Sequence, residues 1–369
     1  MMPMYVRQIL AVLRLELKKT FFARRGLWVY LVALAPAALY LAQDIGAPRH
    51  QQHLEAINQR NPVQGWRLAN VVVGMSRQSV LSFVGQPYDR GRLHPTRSDV
   101  GVVWREVDRF TDGKYDVRVA FDVLEPTRLD SDGRVTMVDR QGPATLAMQS
   151  NNFATLFQNV YLRLGIFFGC IGIFANLFRG EMLDKSLHYY LLTPMRREIL
   201  VAGKFLAGLL VMSVIFMCGT VLQFAAMLWQ FDRVKVADFL HTSGSGMAWS
   251  YVGVTLLACV AYGSVFMALG LLFRNPIVPA AFVLMWESIV LFMPVTLKEA
   301  SIIYYLQCLC PVGAQVDPTM PPLLKLLVTN DSAPVSHATA VAVLLTVSAV
   351  CLGIAAFRGR RLEINYGVE

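Results

Sequence analysis

Apolar residues along the chain gather into six runs separated by charged stretches: Leu27 to Ala42, Phe153 to Phe178, Phe205 to Trp229, Ala248 to Phe273, Ile277 to Val295 and Ala338 to Phe357. A helix rises 1.5 Å per residue and ~20 residues cross the ~30 Å of hydrocarbon in a bilayer. The runs therefore predict six transmembrane helices, the first of them short. Ahead of them, Val6, Ile9, Leu10, Leu13, Leu17 and Phe21 recur at helical spacing opposite Arg7, Arg14 and Lys18, which predicts an interfacial amphipathic helix over residues 1–26. A cleaved leader would share the short apolar run, but an amphipathic helix is unlike the region that precedes one. Residues 27–43 therefore read as an uncleaved anchor.

Between the first and second runs the pattern changes to period two. Tyr115, Val117, Val119, Phe121 and Val123 alternate with Asp116, Arg118 and Asp122, which predicts a half-buried strand, with further strands at Val100 to Trp104 and Arg134 to Val138. Asp112-Gly113 and Asp132-Gly133 mark turns, and Gln51 to Arg60 suits a short helix. Residues 44–152 thus form an inserted α+β domain. The fold class is an all-α polytopic membrane protein of six transmembrane helices with this extracytoplasmic α+β domain between the first and second spans, and residues 153–369 make the remaining five-helix region. His50, His53 and His94 have no metal-ligand spacing, so no metal site is expected.

Composition and charge orient this scheme. The chain is 55% hydrophobic and 16% charged with a net charge of +9, and a charged share below the ~25% of soluble domains fits burial in lipid. Arg24, Arg25, Arg358, Arg360 and Arg361 flank the first and last runs. Short loops rich in Lys and Arg stay on the cytoplasmic side, which puts both termini there and the 44–152 domain outside. That topology accounts for the basic excess without nucleic acid. The inserted domain has no cysteine among the six of the chain, so it folds without disulfides.

The segment 179–204, RGEMLDKSLHYYLLTPMRREILVAGK, is charged and lies between two spans. Leu183, Leu187, Tyr190 and Leu191 share one helical face, and Pro194 suits the first turn of a new helix that continues through Glu198 into the third span. The residues Arg179, Glu181, Ser186-Leu187, Leu191-Leu192, Thr193-Pro194, Arg196-Arg197 and Gly203-Lys204 resemble the signature of the type-2 ABC transporter permeases, the membrane subunits of many bacterial exporters. The chain departs from that signature at Lys185, Ser186 and His188. The resemblance implies that the segment is a coupling helix docking into a separate ATPase, with Glu181, Leu187, Leu191, Arg196 and Arg197 as its contacts. It further implies two copies of an ABC ATPase that hold the ATP and Mg, no cofactor bound by this chain, and a second permease copy in a homodimer or related heterodimer. It places the chain in a bacterial inner membrane, among lipid. The early inserted domain is similar to that of sodium-efflux and drug or peptide exporters.

No Gly-x-x-x-x-Gly-Lys-Ser/Thr occurs, so this chain has no ATP-hydrolysing loop of its own. Two ionisable residues stand inside spans, Arg163 and Glu287, at similar depth. Each costs ~2.5–3.5 kcal/mol at a helix centre, so both are candidate functional residues, as a mutual ion pair, a gate or a substrate contact. Asn159, Asn176 and Gln223 suit hydrogen bonds between helices. A membrane-anchored sensor or assembly subunit that binds a partner through the outer domain is the alternative to transport. Ile302 to Leu309 is apolar enough to re-enter the membrane, or to be a surface helix.

Overall fold

The first apolar run does not stop being helical where it stops being apolar. In the computed structural model, which describes residues 4–21, 27–91, 94–98, 101–123, 133–175, 177, 196–273, 275–290, 295–313 and 335–360, helix α1 (Met4–Phe21) is followed by a single helix α2 (Leu27–Arg60) of 34 residues. At 1.5 Å per residue α2 is ~51 Å long, more than a bilayer core needs. The separate helix expected at Gln51 to Arg60 is the end of α2. The change to polar side chains alters what the helix faces without ending it, although Pro36 and Pro48 each remove one main-chain N–H from its ladder.

The chain divides into two units, one of Met1–Leu41 with Leu146–Glu369 and one of Ala42–Thr145. The first unit adds α5 (Leu146–Phe174), α6 (Arg197–Trp229), α7 (Arg233–Leu272), α8 (Ile277–Ile289), α9 (Val295–Lys298), α10 (Ile302–Cys308) and α11 (His337–Arg360), α3 and α4 belonging to the second unit. Among the described residues, five helices are long and apolar enough to cross a membrane: α2, α5, α6, α7 and α11. The run expected to span at Ile277 to Val295 is instead the 13-residue α8, ~20 Å long, with the short α9 and α10 after it. The stretch between the third and fourth apolar runs is helical from Arg233, as the first part of α7.

Aromatic side chains build the core of this unit. Phe153, Phe157, Tyr161, Phe167 and Phe174 of α5 are all buried. Phe153 and Phe157 meet Tyr251 of α7 edge-on at 4.9 and 4.7 Å, and Phe167 meets Phe266 at 4.9 Å. Each such pair adds ~0.5–1.5 kcal/mol to the area it buries. Gly219 lets α2 close on α6, since a Cβ there would sit 2.8 Å from the Ala33 carbonyl oxygen and 2.5 Å from the Tyr161 hydroxyl. On the far side of α6, Leu206, Leu210, Val214 and Val221 follow one another at helical spacing and are exposed, as a lipid-facing stripe requires. Trp229, at the end of this stripe, and Trp249, within α7, are both exposed, where an aromatic belt would lie.

The second unit is an antiparallel sheet of β1 (Asp89–Arg90), β2 (His94–Ser98), β3 (Gly101–Thr111), β4 (Asp116–Val123) and β5 (Arg134–Gln141), in the order β1-β3-β4-β5 with β2 also on β3. Trp104 pairs with Val123 and Thr111 with Asp116 across a turn in which Gly113 takes a φ of 89°. Val117, Val119 and Phe121 share one face and are buried against α3 (Gly65–Ala69) and α4 (Arg77–Val84) through Leu68, Val80 and Val84. The segment Leu68 to Val84, without a clear sequence pattern, thus supplies the helical layer. Ser76 caps α4 by accepting from the Ser79 N–H at 3.2 Å, and Gly85 ends it at a φ of 110°. Over the sheet, Arg77 bonds Glu106 at 2.7 Å and Asp108 at 2.9 Å with its guanidinium against the Phe121 ring.

Candidate functional site

Tertiary structure brings Arg163 and Glu287 together, by a route their charges alone do not suggest. Arg163 lies in a stretch of α5, Phe157–Ile166, that is wound as a π-helix, a rare form found disproportionately at functional sites. Its guanidinium donates to the main-chain carbonyl of Glu287 near the end of α8. The Glu287 carboxylate, 3% exposed, is spent elsewhere. It accepts from the Ser301 hydroxyl at 2.6 Å and from the N–H groups of Ile302 and Ile303 at 3.0 and 3.3 Å. These are the first donors of α10, which a helix leaves without main-chain partners. Ser301 precedes α10 in an extended conformation but makes no cap bond of its own. Glu287 supplies the missing acceptor from a distant helix, with its charge at the positive end of the α10 dipole. The expected ion pair is therefore a relay, Arg163 to the α8 main chain and Glu287 to α10.

Around this relay the interior holds further polar groups. The Tyr161 hydroxyl donates to the Phe216 carbonyl at 2.7 Å, Thr220 and Thr255 meet at 2.9 Å, and Thr255 donates back to the Tyr251 carbonyl at 2.8 Å. Gln223 was a candidate for bonding between helices. Among the described residues neither of its amide atoms has a hydrogen-bond partner, nor do the hydroxyls of Tyr251 and Tyr262. Asn159 bonds within its own helix, to the Thr155 carbonyl at 3.1 Å, and it is Gln158 that reaches another element, the Val312 carbonyl at 2.7 Å. Asn176 lies outside the described residues.

At the start of α6 a second group of charges gathers. Arg196 is extended and exposed, the residue before the helix begins, and Glu198 lies in the first turn, where a carboxylate complements the dipole. Arg197 donates to the Arg360 carbonyl at 3.0 Å, and Arg360 pairs with Glu198, so the end of α11 is fastened to the beginning of α6. Both partners of that pair are well exposed, so it contributes little by itself. Glu181, Leu187 and Leu191 lie outside the described residues. Further along, Lys204 is fully buried and pairs with Glu16 of α1 at 2.7 Å. Little in the local sequence marks Glu16. It sits among Arg14, Lys18 and Lys19, and the sole hint is that it falls four residues after Val12, on the face that turns inward.

A family model described as ABC-2 family transporter protein matches residues 10–358 of the chain. A comparison with curated proteins finds no match.

Proposed function

The chain belongs to the ABC-2 transporter family, and from that premise we propose that it is the permease subunit of an ABC exporter, driven by ATP hydrolysis in a separate polypeptide. It is a multi-pass membrane protein of a transport family and not itself an enzyme. In this reading two ABC ATPase subunits hold the ATP and Mg, and two permease chains enclose the path. The observation that carries the ATPase part is the family match over nearly the whole chain, combined with a sequence that contains no phosphate-binding loop.

The docking surface we propose is the segment that ends where α6 begins, through Glu181, Leu187, Leu191, Arg196 and Arg197, with the leucines as apolar anchors and the charges as rim. Support for this choice is mechanical. Arg197 and Glu198 begin a helix of 33 residues that runs without a break to Trp229, so displacement at its first turn is carried along its length. In this reading the chain sits in the bacterial inner membrane, with its termini and this segment cytoplasmic and residues 44–152 outside. The sixth crossing is completed by α8 with the short helices that follow it, α10 entering the membrane from the outer side. Glu287 then caps a helix inside hydrocarbon, where an unmet N–H costs most. The relay from Arg163 through α8 to α10 is the proposed structural support of the outer mouth.

Proteoliposomes containing the chain and its co-purified ABC ATPase, screened with ions, lipids and amphiphilic drugs, test the proposal. ATP-dependent movement of one such class supports it. A chain that purifies without any ATPase and changes no ATPase rate contradicts it.

A further inference from the structure

Buried charges are expensive, so a Lys with no exposed surface requires a reason. Lys204 is 0% and Glu16 2% exposed, and their Nζ–Oε1 distance is 2.7 Å. The same ammonium donates to the main-chain carbonyl of Leu177 at 3.2 Å. One cation thus joins α1, which carries Glu16, α6, which carries Lys204, and the main chain just beyond α5. A Lys ammonium suits this, having donors that diverge where a carboxylate has none. Gly203 beside it sets the approach of α1. A Cβ there would lie 3.0 Å from both Cβ and Cγ1 of Val12, so α1 rests directly on the main chain of α6. A pair of leucines at these positions would hold two helices together at least as well, because a buried pair gives back most of its attraction as desolvation. What apolar side chains lack is the directed bond to the Leu177 carbonyl.

Leu177 and Lys204 flank the segment proposed above as the ATPase dock, one before it and one after. The geometry points to Lys204 as a positioning residue: its ammonium clamps the entry and exit of that segment to each other and to α1, so that the three move as one body when the ATPase pushes. This rests on the permease reading and adds to it the part that keeps the push from being absorbed locally. Without the clamp, motion at the dock is dissipated as α1 and the end of α5 slide past α6. With it, α1 becomes part of the moving element and not only an interfacial anchor.

Two double variants separate the clamp from mere helix packing. Glu16→Leu with Lys204→Met replaces the charges by apolar side chains of similar size. Glu16→Lys with Lys204→Glu restores an ion pair but places an acceptor, unable to donate, beside the Leu177 carbonyl. Both keep α1 complementary to α6 and are expected to insert and to co-purify the ATPase at wild-type stoichiometry. Both are expected to lower permease-dependent ATPase stimulation about tenfold, an ordinary size for coupling between sites. The readout is the ATPase rate of the full complex in proteoliposomes, with and without each permease variant. Wild-type stimulation in either double variant overturns the inference while leaving the permease reading intact. No stimulation by the wild-type chain overturns the permease reading and the inference with it. The single change Glu16→Asp, which keeps a carboxylate on a shorter stem, is expected to recover most of the stimulation, and its failure to do so alongside normal co-purification also counts against the clamp.

Discussion

Replacing Glu287 by alanine removes the acceptor that serves Ser301 at 2.6 Å and the N–H groups of Ile302 and Ile303 at 3.0 and 3.3 Å. Loss of a helix cap costs ~1 kcal/mol, and each buried donor left unmet ~1–3 kcal/mol. The carboxylate is also a nearby countercharge for Arg163, without contacting it, and removing one of two buried opposite charges costs up to ~3–5 kcal/mol. These figures describe the same donors from different sides and do not add, so the expected loss is about 3–5 kcal/mol in all. Glu287→Gln keeps one oxygen for an N–H and loses the charge, so it is expected to cost about 1.5–3 kcal/mol, the worth of a charged hydrogen bond. Reversible unfolding of the full chain in detergent measures both. Trp286 offers a local signal, because its indole donates to the Ala300 carbonyl at 3.4 Å across the same junction. The charge exchange Arg163→Glu with Glu287→Arg is expected to bring no recovery, since an arginine at 287 would meet the N–H donors of α10. Glu287→Ala within about 0.5 kcal/mol of wild type, as for an ordinary surface change, would refute the reasoning, and so would recovery in the exchange.

Arg77→Ala is expected to destabilise the sheet unit by about 3–5 kcal/mol because it strands the fully buried Asp108, whereas Arg77→Ala with Asp108→Asn should recover part of that; equal losses in the two would contradict the pairing. The Arg105 guanidinium bonded to Asp122 at 2.8 Å holds that carboxyl below its usual range. Its folded pKa is thus lower than the unfolded value of about 3.9, so its stabilisation is present above that value and is lost as pH falls through the folded pKa. Arg105→Gln should flatten the acid limb of sheet unfolding below about pH 4 followed by the infrared amide band, and an unchanged limb would count against it. Single cysteines at Lys114 and Thr242, both exposed, should react with an impermeant thiol reagent applied outside intact cells, and one at Arg358 should not; labelling at 358 would invert the topology.

Much of the architecture was legible because it rests on periodicity. Val117, Val119 and Phe121 announce a half-buried strand by alternation, and they lie on the face that α3 and α4 cover. Long apolar runs announce helices of span length in the same direct way. What stayed hidden depends on contacts between distant segments. Pro294 disfavours helix toward the end of the apolar run that continues to Val295, but no residue marks the earlier end of α8 at Ile289. Nothing local makes Glu287 the cap of a helix that starts 15 residues later. Glu16 reads as one charge among several, and only the packing of α1 over Gly203 gives it a partner 188 positions away. Arg163 was singled out by its cost in a membrane, which locates a site without naming its partner atom.

The proposed working of this permease by an ATPase through the segment before α6 is tested most directly by the substitution Leu187→Asp in the full complex. A charge in place of the proposed apolar anchor should abolish permease-dependent ATPase stimulation while expression and membrane insertion remain normal. Wild-type stimulation by Leu187→Asp, with the ATPase still co-purifying at wild-type stoichiometry, would contradict the account.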